Sequence, residues 1–315
     1  MGLTYRGLRV AVVLPCYNEA AAIDAVVRSF RCALPQAEIY VFDNASTDGT
    51  AEVARAAGAE VIHVQGRGKG NVVRRIFADV EADIYLMADG DGTYDSRSAQ
   101  VLVDTLIDRR LDMVVGTRVP EGDGEHYRFG HVLGNAVLTG AVAKIFGKGF
   151  SDMLSGYRAF SRRYVKSFPA LSKGFEIETE LTIHALELRA PYGEVETPYL
   201  ARAEGTQSKL STYRDGLRIA KTILRLYMRE RPRQLYLLLA FCLAFSSLVL
   251  GISIIAEFVQ TGLVPRLPTA IVAAVLMLAA MLSGICAVIL DSIVTGRSEA
   301  KRLHYLAIGA VKAES

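Results

Sequence analysis

Two periods of hydrophobic and polar residues run through the first 234 positions, and neither continues beyond them. Apolar, β-rich runs at Leu8–Leu14, Ile39–Phe42, Val61–Val64, Ile84–Met87 and Met113–Val115 predict strands. Between them, apolar positions at helical spacing over Ala20–Phe30, Thr50–Ala57 and Ala99–Arg109 predict helices. Alternation of the two predicts an α/β fold around a parallel sheet. Such folds bind ligands at the carboxyl ends of their strands. Polar residues gather at those ends: Asn18 and Glu19 after the first strand, Asp43 after the second, Asp89 and Asp91 after the fourth, Arg118 after the fifth.

Further along, Leu235–Ala256 and Leu267–Leu290 are runs of 22 and 24 residues without a charge, apolar all round. Each is long enough to span a bilayer, which takes about 20 such residues. The stretch before them, Tyr213–Gln234, carries Arg214, Arg218, Lys221, Arg225, Arg229, Arg231 and Arg233 against Asp215 and Glu230. Ile219, Ile223, Leu226 and Tyr227 share one face at helical spacing, so it reads as an amphipathic helix on anionic headgroups. Arg297, Lys301 and Arg302 follow the second run. Positive charge marks the cytoplasmic side. The expected organisation is therefore a cytoplasmic α/β domain over 1–212, a basic interface helix over 213–234, spans at 235–256 and 267–290, and a cytoplasmic tail over 291–315. Small residues in the second span (Ala279, Ala280, Ser283, Gly284, Ala287) can bring helices close and suggest a homo-oligomer.

Composition narrows the partners. Hydrophobic residues make up 51 %, charged residues 22 %, and mean hydropathy is +0.26, which excludes a disordered chain and fits one partly in lipid. The 36 Lys and Arg against 33 Asp and Glu leave a net charge of +3, too little for a dedicated nucleic-acid binder. Cys16, Cys32, Cys242 and Cys286 form no C-x-x-C pair, so neither a zinc site nor a disulfide framework is expected. No long apolar stretch precedes the first strand, and no cleaved signal peptide is expected.

Four constellations carry candidate chemistry. Asp89-Gly90-Asp91 places two carboxylates at a strand end, where they can hold one hard divalent cation facing a diphosphate. It is not an EF-hand loop, because Tyr94 and Gln100 stand where Gly and Glu are required; a solvated acidic turn is the alternative. Asp43, followed by Ser46-Thr47-Asp48-Gly49-Thr50, can accept from a nucleobase, while Ser46, Thr47 or Asp48 can cap the next helix. Gly66-Arg67-Gly68-Lys69-Gly70 can approach a phosphate, though it fits neither a Walker A loop nor G-x-G-x-x-G. Arg118, Arg128, Arg158, Arg202 and Lys209 form a set of cations suited to a phosphate, with Asp152 a base or an orienting partner for Arg158.

Taken in order, Pro15-Cys16-Tyr17-Asn18-Glu19, Asp43 with Ser46–Thr50, Gly68-Lys69-Gly70, Asp89-Gly90-Asp91 and Asp152–Arg158 resemble family 2 glycosyltransferases of the GT-A (Rossmann-like) fold. The polyprenyl-phosphate glycosyltransferases, which include dolichol-phosphate mannose synthase and the bactoprenol glucosyltransferases, are the subgroup most similar, and the two spans match the latter. The resemblance implies that Pro15, Tyr17, Glu19, Asp43, Ser46, Lys69 and Asp89 hold a nucleotide-sugar. It implies that Asp89 and Asp91 bind Mg²⁺ or Mn²⁺, and that Arg118, Arg128, Arg158, Arg202 and Lys209 receive a lipid phosphate. Asp91, Asp152 and Arg118 would be the catalytic set. The commoner Asp-Ala-Asp-Leu-Gln of the family stands here as Asp-Gly-Asp-Gly-Thr, with Thr93 in place of Gln. The implied reaction is inverting transfer of a sugar, with UDP the preferred carrier, to a polyprenyl phosphate for cell-envelope glycans. Transfer to a lipid or glycan hydroxyl is the alternative. A processive synthase would need a Gln-x-x-Arg-Trp motif, and the chain has no Trp.

Overall fold

The computed structural model of the protein describes residues 4–120, 140, 150–200, 221, 224, 227–228, 231–264 and 266–311. Strand β1 (Val10–Cys16) shows how the core is divided. Its alternate residues point to opposite faces, so Val10, Val12, Leu14 and Cys16 enter one apolar cluster and Ala11 and Val13 the other. Helices α1 (Ala20–Ala33), α2 (Thr50–Ala56) and α4 (Ser98–Asp108) close the first cluster. Helices α3 (Lys69–Asp79), α5 (Arg162–Ser167) and α6 (Ile177–Leu188) close the second.

The remaining strands are β2 (Glu38–Asp43), β3 (Glu60–His63), β4 (Ile84–Met87), β5 (Met113–Pro120), β6 (Arg158–Ser161) and β7 (Tyr192–Tyr199). Together with β1 they form one sheet in the order β3-β2-β1-β4-β6-β5-β7. The expected five strands and three helices are all present, with ends moved by two residues or fewer except for α1, which runs on to Ala33, and β5, which runs on to Pro120. The sheet, however, is mixed rather than parallel: β6 runs antiparallel to both β4 and β5. Four residues carry no signature of strand direction, and this strand went unread in the sequence. Its reversal matters, because Arg158, the first residue of β6, pairs in register with Met87, the last of β4. The segment 152–157 thereby reaches the same sheet end as Cys16, Asp43 and Met87.

Two compact units divide the chain: Met1–Ile223 with Lys301–Ser315, and Leu224–Ala300. Helices α7 (Pro232–Thr261), in the second, and α8 (Leu267–Leu306), which begins in the second and ends in the first, are long and apolar enough to cross a membrane. Phe241, Ile252 and Val288 are 67 %, 64 % and 70 % exposed, so these are not core helices of a soluble globule. Pro232 opens α7 and left-handed Gly262 ends it. The uncharged runs understate both helices, because a helix does not stop where charge begins; α8 continues past Leu290 to Leu306. Of the small-residue stripe, Ala280 and Ala287 are buried within the chain; Ala273, on the same helix, is buried too, and its carbonyl accepts from the Ser247 hydroxyl at 2.7 Å. Most of the expected interface helix, 213–234, lies outside the described residues.

Candidate active site

The loops after β1 and β2 are laced together by side chains. Asn18, at φ 52, accepts from the Thr47 N–H (2.9 Å) and donates its own N–H to Ser46 Oγ (2.9 Å). The Glu19 N–H donates to Thr50 Oγ1, and the Ala20 N–H to Asp48 Oδ2. Ser46 and Asp48 thus fix this corner. The N-cap of α2 is left-handed Gly49, and Asp48 Oδ1 accepts the first helical N–H, that of Thr50, at 3.1 Å. Pro15 is the last residue but one of β1, in register with Phe42, and Tyr17 and Glu19 lie in the turn that follows. Asp43 ends β2 and is buried; the Ser46 N–H and His63 Nδ1 (3.0 Å) meet its two oxygens.

Next to Asp43, Asn44 ties β2 to the glycine run. Its amide donates to the Gly66 carbonyl (2.7 Å) and accepts from the Gly68 N–H (2.7 Å). The Arg67 guanidinium lies 5.2 Å from the Tyr17 ring centroid. Two of the glycines are required by protein packing. A Cβ on Gly68 would sit 2.1 Å from the Lys173 carbonyl oxygen, and one on Gly70 2.3 Å from that of Ser172. This close fit starts α3, and so places Lys69 in its first turn.

Lys69 is buried between two carboxylates. Its ammonium pairs with Asp89 Oδ1 and, at 2.6 Å, with Glu178 Oε1 of α6. Burial alone would lower this ammonium, but Asp89 and then Glu178 hold it well above its usual value. Burial pushes the Glu178 carboxyl up, with Lys69 opposing. A Cβ on Gly156 would lie 2.8 Å from Lys69 Nζ, 3.0 Å from Asp89 Oδ2 and 3.3 Å from the Tyr94 hydroxyl. Gly156 is thus the back wall of this corner, and its N–H donates to Tyr94 (2.8 Å).

Gly90 lets the Asp89–Asp91 turn lie on β1, since a Cβ there would stand 2.3 Å from Cys16 Sγ. Asp91 is buried, and the Thr93 hydroxyl donates to its Oδ1 at 2.7 Å. The residue that replaces the family's Gln therefore orients the second carboxylate. Among the described residues no three His, Cys, Asp or Glu cluster as a metal cage. Asp89 and Asp91 instead offer a pair of hard oxygen ligands. That set fits Mg²⁺ or Mn²⁺, which keep waters and take their remaining ligands from a substrate diphosphate.

Arg118, from β5, makes a two-pronged pair with Asp152, both N···O distances being 2.7 Å, and lies 5.6 Å from the Tyr199 ring centroid. Asp152 thus orients Arg118, not Arg158. The expectation that Arg158 receives a phosphate is corrected. It is fully buried, and its guanidinium donates to the carbonyls of Ser155 (2.8 Å) and Met153 (2.5 Å) and to Thr182 Oγ1 (3.0 Å). It shapes the 152–157 loop from beneath. Arg128, Arg202 and Lys209 lie outside the described residues.

Residues 11–168 match glycosyl transferase family 2. The chain belongs to this family. It is 38 % identical over 224 residues to glycosyltransferase AglJ of Haloferax volcanii, covering 70 % of the chain and 72 % of AglJ. It is 29 % identical over 225 residues to the dolichyl-phosphate hexose transferase of the same organism, covering 71 % and 96 %. Among solved structures, glucosyl-3-phosphoglycerate synthase from Mycobacterium tuberculosis, in complex with Mn²⁺, UDP and glucosyl-3-phosphoglycerate, aligns with a TM-score of 0.57 at 25 % identity, over 69 % of this chain and 80 % of that one. This family 2 protein is a glycosyltransferase with the expected GT-A fold, and its likeness to the polyprenyl-phosphate subgroup holds.

The sequence reading missed several residues of the site. Glu178 sits in Glu176-Ile177-Glu178-Thr179-Glu180, which reads as a charged stretch, yet Ile177 to Glu180 are buried. Tyr94, Gly156 and Tyr199 carried only a local signal of aromatic or turn character. Asn44 was visible beside Asp43, but its partner, the glycine run, is distant in sequence.

Proposed function

We propose that this glycosyltransferase moves a sugar from a nucleotide-sugar, UDP-linked by preference, to a polyprenyl phosphate at the cytoplasmic face of a membrane. One observation carries the reading. Two carboxylates suited to a metal diphosphate, Asp89 and Asp91, share a sheet end with the Asp152-oriented Arg118, in a chain that also bears two exposed apolar helices. The dolichyl-phosphate relative supports the acceptor class, and the synthase with Mn²⁺ and UDP supports the donor class.

In this reading Asp43 and its corner receive the base and ribose. A divalent cation on Asp89 and Asp91 supplies charge neutralisation to the leaving diphosphate. The acceptor phosphate oxygen forms a bond to the anomeric carbon as the bond to the nucleoside diphosphate breaks, so the centre inverts. The attacking oxygen is already anionic and needs no base, which leaves Asp152 the task of holding Arg118 toward that phosphate. Arg118 offsets the repulsion between the two anions. The exposed apolar helices hold the protein in the lipid where such an acceptor resides.

The test is transfer of label from UDP-, GDP- and dTDP-sugars to undecaprenyl phosphate by purified protein in detergent with Mn²⁺. EDTA-sensitive label in the organic phase establishes the reaction and names the sugar. Binding of a nucleotide-sugar with no lipid product from any donor overturns the acceptor assignment in favour of a hydroxyl.

A further inference from the structure

The Glu178 carboxylate has no place in the reaction just described, yet it sits against its machinery. Glu178 is 4 % exposed, its Oε1 accepts the Lys69 ammonium at 2.6 Å, and its Oε2 is buried without a hydrogen-bond partner. Burying a carboxylate with an orphan oxygen is costly, and a structure that only needed to satisfy Lys69 would be better served by Asp89 alone. Two carboxylates on one ammonium leave this corner with a surplus negative charge next to the expected cation site.

We propose that Glu178 is a positioning residue. It shares the Lys69 ammonium with Asp89, so that the ion pair neutralises Asp89 only in part and the Asp89 carboxylate stays able to take a divalent cation with a diphosphate. The Gly156 wall confines Lys69 to the space between the two acids, and α6 is fixed there by Glu180, which accepts the Leu171 and Ser172 N–H groups of the segment packed on Gly68 and Gly70. Glu178 therefore acts on the cation through Lys69. This inference rests on the proposed donor class but not on the acceptor.

The experiment measures Mn²⁺ binding to the full chain in the presence of UDP by calorimetry, with no turnover, alongside donor KM and kcat. Glu178→Leu removes the seat and Glu178→Gln only its charge. Loss of an outer partner of a metal ligand weakens metal affinity by about 10–100-fold. The expected result is a loss in that range for Glu178→Leu, a smaller one for Glu178→Gln, and recovery of kcat at high Mn²⁺. Glu178→Asp should restore part of the affinity. In a Lys69→Met background the Glu178→Gln change should have no further effect on Mn²⁺ binding. Wild-type Mn²⁺ affinity in both Glu178→Leu and Glu178→Gln, with melting temperatures showing that they fold, overturns the inference. So does an undiminished effect in the Lys69→Met background. If Mn²⁺ and UDP bind as expected but no lipid accepts the sugar, the acceptor reading fails and this inference stands.

Discussion

Replacing Arg158 by lysine separates a structural arginine from a phosphate ligand. The guanidinium reaches two carbonyls and one hydroxyl from three nitrogens, all within a fully buried site. A lysine keeps the charge but has one nitrogen, which cannot span Ser155, Met153 and Thr182 together. At least one buried carbonyl then loses its partner, at about 1–3 kcal/mol. Loss of packing around the shorter head adds to this, for a total of roughly 2–4 kcal/mol. At about 2–4 °C per kcal/mol for a domain of 150–250 residues, the melting temperature should fall by roughly 4–16 °C. The chain has no Trp, so circular dichroism or calorimetry is the suitable probe. Kinetics measured well below the new melting temperature should show any loss shared between donor and acceptor, because the 152–157 loop serves both. An unchanged melting temperature with a selective rise in acceptor KM would refute the argument and return Arg158 to the phosphate.

Three further perturbations follow from the same geometry. Gly156→Ala pushes a methyl against Lys69 Nζ, Asp89 Oδ2 and the Tyr94 hydroxyl, all ends of side chains that can shift; kcat/KM for the donor should fall roughly 10–100-fold with little change in melting temperature, and a wild-type kcat/KM would contradict the placement. Burial, aided by Lys301, pushes His184 down to about 3 from an ordinary value of 6.5. The unfolded chain therefore binds the extra proton. The stability this contributes is complete above pH 6.5 and is lost as pH falls toward 3, by up to about 1.4 kcal/mol per pH unit. His184→Gln should flatten the melting temperature between pH 7 and 5, and a slope parallel to wild type would rule the assignment out. Near the C-terminus, the Tyr305 hydroxyl donates to buried Asp112, and Arg163 both pairs with that Asp and lies 4.7 Å from the Tyr305 ring centroid. Tyr305→Phe should cost about 1 kcal/mol and Tyr305→Ala roughly 1–2 kcal/mol more. Equal melting temperatures for the three proteins would show that the tail contributes nothing there.

Much of the fold was legible because it is written in local periods. Val10 to Leu14 and Ile84 to Met87 are short β-rich apolar runs, and Ile23, Val26, Val27 and Phe30 make one helical face. The two long uncharged runs needed only length and composition. The carboxylates at strand ends, Asp43, Asp89 and Asp91, followed from strand boundaries alone, and the ordered motifs pointed to the family. What the sequence could not convey are decisions made by contacts between distant segments. The direction of β6 depends on where the chain returns after β5, and that return carries Arg158 under its own loop and leaves Arg118 to meet Asp152. Nothing local in Gly68-Lys69-Gly70 shows that the 172–173 carbonyls lie against both glycines. Glu178 looks like solvated charge, because burial is a property of what covers a residue. Sequence by itself determined the periods and the types of chemistry at strand ends; only the tertiary structure decided which charges meet, since pairing energy depends on distances that no local pattern sets.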